Sequence, residues 1–83
     1  MADDAEREAQ LKQLAHLKAM GEKAYDDMHD AYPPGNAGAY YSDAKECFYD
    51  AIGLARCLGL EEEIKALEAR LAHIKAVFRG QFT

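Results

Sequence analysis

The 83-residue chain is 49% hydrophobic and 30% charged, the composition of a single small globular domain with a thin core rather than of a disordered tail. Its formal net charge is −5, and its basic residues are spread singly from Arg7 to Arg79, which argues against nucleic acid and anionic lipid surfaces as partners. No apolar run approaches the roughly 20 residues that span a bilayer, and the acidic opening MADDAERE lacks the basic and apolar regions of a secretory leader, so a cytoplasmic location is expected.

Two breaks divide the chain. YPPGNAG at residues 32–38 removes backbone donors and disfavours helical geometry before each proline, and LGL at 58–60 offers a glycine suited to a left-handed helix cap. An all-α fold of three helices follows, over residues 4–31, 39–58 and 61–79. In the first, Asp3 or Asp4 is the expected cap. Leu14, Leu17, Gly21, Ala24, Tyr25, Met28 and Tyr32 gather on one face, with Met20 and Ala31 beside them. This helix is longer than the others, so its acidic stretch 1–8 is expected to overhang the bundle or fray.

The second helix starts between Ala37 and Asp43 and carries Ala44, Ala51 and Ala55 at the centre of its apolar arc. Tyr40, Cys47, Leu54 and Leu58 flank the alanines on one side, Tyr41, Phe48 and Ile52 on the other. That arc spans about 160°, wider than the stripe of about 100° that covers one neighbour. The second helix should therefore lie between the other two, its small residues admitting close backbone approach. In the third, Leu60, Ile64, Leu67, Leu71, Ile74 and Phe78 alternate spacings of three and four, the seam of a left-handed helix pairing. Glu61, Glu62 and Glu63 stand at its positive end and Lys75 and Arg79 at its negative end. The expected architecture is a small antiparallel three-helix bundle.

The stretch from Ala44 to Ala51, small-x-x-x-aromatic-x-x-small through Phe48, resembles the second helix of a tetratricopeptide repeat, with Tyr41 and Asp43 upstream at positions where such repeats carry an aromatic and an acid. It is similar also to the middle helix of microtubule-interacting-and-transport domains. The resemblance covers about residues 38–60. It implies a scaffold for protein–protein contact with a peptide or helix lodged in a groove, and brings no catalytic residues with it. No tandem copy follows, so the first helix has to cover the face that a neighbouring repeat would cover.

On the outer side of the second helix Gly53 lies about 180° from the alanine stripe, where a solvated helix favours Ala and glycine costs about 1 kcal/mol. Lys45, Tyr49, Ile52 and Arg56 form a row beside it, apolar and basic in an acidic protein. The row with Gly53 is the first candidate for partner binding, and Tyr25 and Tyr32 are the second.

Other constellations are weaker. Asp26, His29 and Asp30 offer half a metal site, with no Glu-x-x-His on another helix to complete it, and His16 and His73 sit at the margins of apolar faces. Cys47 reads as a small core hydrophobe. Cys57 points outward near a helix C-terminus whose dipole disfavours a thiolate, and at ten residues' separation the two lie about 15 Å apart along one helix, beyond disulfide reach. Ser42 and Thr83 are the only hydroxyl nucleophiles of their types, and neither stands beside a base in a recognisable pattern. No cofactor is implied. The sequence favours a non-enzymatic helical interaction module, an adaptor or small subunit that binds a partner helix or peptide or pairs with its own copy as a homodimer. The alternative is a small metal- or substrate-handling bundle enzyme acting as a homo-oligomer.

Overall fold

A computed structural model describes residues 2–31 and 36–81, with side chains from residue 4 onward. Three helices account for nearly all of this: α1 (Ala2–Asp30), α2 (Ala37–Leu58) and α3 (Glu61–Gln81). They form the expected three-helix bundle. α1 is helical from Ala2, so Asp3 and Asp4 belong to its first turn and do not cap it, and the stretch expected to fray is helical from its second residue. With 29 residues α1 runs about 43 Å, against about 30 Å for each partner. Its excess lies beyond the α2–α3 turn, where residues 4–9 are all exposed.

The α2–α3 connection is the two-residue turn Gly59–Leu60. Gly59 sits at φ 70°, ψ 29°, a left-handed geometry that glycine adopts without a Cβ penalty. Its N–H donates to the carbonyl of Arg56 at 3.1 Å, and the N–H of Leu60 donates to that of Ala55 at 3.0 Å. These two bonds satisfy carbonyls that the helix end leaves open. Residues 32–35 of the other break, Tyr32 included, lie outside the described residues.

α2 is the middle element. Ala44, Ala51 and Ala55 are fully buried, with α1 packed along one side of them and α3 along the other. α1 contributes Leu14, Ala24 and Met28 to the interior, and α3 contributes Leu67, Leu71 and Ile74. Between α1 and α2 the approach is closest at Gly21: a Cβ there would stand 2.7 Å from Cε2 of Phe48, so the Phe48 ring occupies the space that a side chain would need. α1 and α3 meet chiefly through long polar side chains. Arg70 grips Glu22 through two bonds of 2.7 and 2.6 Å, Lys18 pairs with Glu63, and the Tyr25 hydroxyl lies 3.4 Å from Nε2 of His73.

Several expected core members sit at the margin. Met20 is 46% exposed and Tyr40 36%, because each lies at the rim of the α1–α2 contact and not beneath it. Cys47 is half-buried rather than a core residue, and partial burial, followed by nearby Asp43, Asp50 and Glu46, pushes its thiol pKa up. Phe78 closes the far end of the seam by stacking on Tyr41 with ring centroids 3.9 Å apart.

Candidate functional site on the outward side of α2

With its inner arc committed to the core, α2 presents Ser42, Glu46, Tyr49, Gly53 and Arg56 to the outside, all of them exposed. Their spacings of four and three keep them on one strip of the helix. A Cβ at Gly53 would meet nothing within 4 Å, so the backbone itself is accessible there. The Tyr49 ring stands beside it, 52% exposed.

Along one flank of this strip α2 and α3 enclose an open groove of about 380 Å³. Ile52 and Leu71 form its floor, while Tyr49, Arg56, Glu68 and Lys75 form its rim. Lys75 Nζ donates to the Tyr49 hydroxyl at 2.6 Å and lies 5.0 Å from the ring centroid. That hydrogen bond, which favours the phenolate, holds the Tyr49 pKa below the ordinary tyrosine value. A second groove of about 480 Å³ runs along the other flank, between α1 and α2, with Asp43, Glu46 and the Lys23–Asp27 ion pair on its rim. The outward side of α2 thus divides into a basic, aromatic flank against α3 and an acidic flank against α1.

The structure brings Tyr49, Gly53 and Arg56 together on one surface and rearranges the other expected site residues. Ile52 is only 6% exposed: it belongs to the floor of the groove and the core, because α3 reaches farther round α2 than the apolar arc alone required. Lys45 lies outside the groove, its ammonium 4.4 Å above the Tyr41 ring. Tyr25 is less exposed than expected. It is half-buried between α1 and α3, with Arg70 at 4.9 Å from its ring centroid and the His29 and His73 rings edge-on at 4.7 and 6.2 Å. Tyr32 lies outside the described residues.

The residues of α3 that complete the groove, Glu68, Leu71, Ala72 and Lys75, lie outside the site expected from the sequence. Their signal was present: positions 68, 72 and 75 share the flank of the α3 seam that turns toward the basic row of α2. Among the described residues no three His, Cys, Asp or Glu side chains converge to hold a metal ion, the Asp26, His29 and Asp30 cluster included. No described helix is long and apolar enough to cross a membrane.

The chain matches no family model, no curated protein and no solved structure.

Proposed function

We propose that this chain is a non-enzymatic helical interaction module, an adaptor or small structural subunit, that receives a partner helix along the outward side of α2. One observation carries the reading. Gly53 leaves bare backbone exposed at mid-helix, where glycine costs about 1 kcal/mol against alanine, next to an exposed tyrosine ring and beside an apolar-floored groove. A surface arranged in this way suits a second helix, which needs close approach at one point and an aromatic anchor beside it. The repeat-like spacing of Ala44, Phe48 and Ala51 supports the same reading, since helices built to that pattern serve as scaffolds for other helices.

Site-directed cross-linking in extract of the native host tests it. A benzophenone side chain in place of Tyr49 should yield a discrete adduct that disappears when Gly53→Leu is added, while the same group in place of exposed Lys12 yields none. No adduct from position 49, or the same adducts from both positions, would sink the proposal.

A further inference from the structure

The outward strip of α2 is complementary to itself. Tyr49 and Gly53 stand two residues to either side of Ala51, and Glu46 and Arg56 stand five residues to either side of it. One pair sets an exposed ring against bare backbone, the other an anion against a cation. All four residues are exposed, and neither Glu46 nor Arg56 takes part in an ion pair of 4 Å or less among the described residues.

From this pattern we infer that the partner helix is α2 of a second copy of this chain, docked antiparallel about a two-fold axis level with Ala51. The inference rests on the reading of the outward side of α2 as a docking surface. In that arrangement Tyr49 meets Gly53 of the partner subunit and Glu46 meets Arg56 of the partner subunit, and the symmetry makes each contact twice. The strip from Ser42 through Glu46, Tyr49 and Gly53 to Arg56 alternates spacings of four and three, as a left-handed antiparallel helix pair requires.

Within one chain the same device is already in use. The Phe48 ring of α2 sits where Gly21 of α1 has no side chain, and these two helices run antiparallel. Tyr49 and Gly53 repeat the aromatic and the glycine on the outward strip of α2, with the space above Gly53 open. A parallel pairing instead sets Glu46 against its own copy and Arg56 against its own copy, so charge selects the antiparallel register. Asp50 lies on the acidic flank near the axis and approaches its own copy, which opposes the dimer and makes that position diagnostic.

Sedimentation equilibrium over a concentration series, with circular dichroism to confirm helicity, tests the inference. The parent chain should dimerise. Glu46→Arg or Arg56→Glu alone should raise the dissociation constant by about tenfold or more, and combining them should restore it to within a few-fold of the parent. Asp50→Asn should tighten the dimer, and Gly53→Leu should abolish it without loss of helix. A parent that stays monomeric throughout, or a double variant as weak as the worse single, overturns the inference. If the parent is monomeric while position 49 still cross-links to a different protein, the second copy is refuted and the docking surface stands; if neither association nor cross-link is found, both fall.

Discussion

Gly21 and Gly53 both stand inside helices, where alanine has the higher intrinsic propensity, and their surroundings assign them opposite roles. At Gly53 a methyl group meets nothing within the chain, so at concentrations below the dimer dissociation constant Gly53→Ala should stabilise the monomer by about 0.5–1 kcal/mol through helix propensity alone. At Gly21 the added methyl stands 2.7 Å from a buried ring that has nowhere to withdraw, since Phe48 is only 1% exposed. Overpacking of this kind costs about 1–3 kcal/mol, which outweighs the propensity gain. Gly21→Ala is therefore expected to destabilise by about 1 kcal/mol net, and urea midpoints of the two variants should move in opposite directions. The placement of both glycines was legible from their angular positions on the helices. The close contact at Gly21 was not, because it depends on which α2 side chain arrives opposite, and periodicity on one helix does not set the axial register of its neighbour.

Between elements, polar chemistry joins α1 to α3 where their backbones do not pack closely. The Arg70 guanidinium, bonded through both arms, holds the Glu22 carboxyl below the usual carboxylate range, chiefly by that hydrogen bonding. A depressed folded-state pKa contributes stability that is complete above the unfolded carboxyl value and disappears as pH falls through the folded one. Both partners are about two-fifths exposed, so solvent screening leaves the pair about 0.5–1 kcal/mol. Glu22→Gln should accordingly lower stability by that amount at neutral pH, and the difference from the parent should shrink as the pH is taken down through the depressed folded-state value, as denaturant titrations over an acid series will show. The helices themselves were readable to within about two residues at each end, since prolines and a capping glycine punctuate the chain. Pairs such as Glu22 with Arg70, 48 residues apart, were not, because each helix has many charged positions and only the rotation of α1 about its own axis decides which of them meet.

For the molecule as a whole, the breadth of the apolar arc on α2 was enough to place it between its neighbours, and the buried alanines follow directly from that. What it could not supply was the second wall of the groove: Lys75 read as a partner of the helix dipole, and its bond to Tyr49 joins residues 26 positions apart. The brevity of the Gly59–Leu60 turn has a kinetic counterpart. Closing so short a loop costs little chain entropy, so the packing of α3 on α2 within the core cluster that holds Ile52, Leu67 and Leu71 should be in place at the barrier, while α1 seats itself afterwards. Stopped-flow measurements should then find that Leu71→Ala mainly slows folding and that Leu14→Ala mainly hastens unfolding.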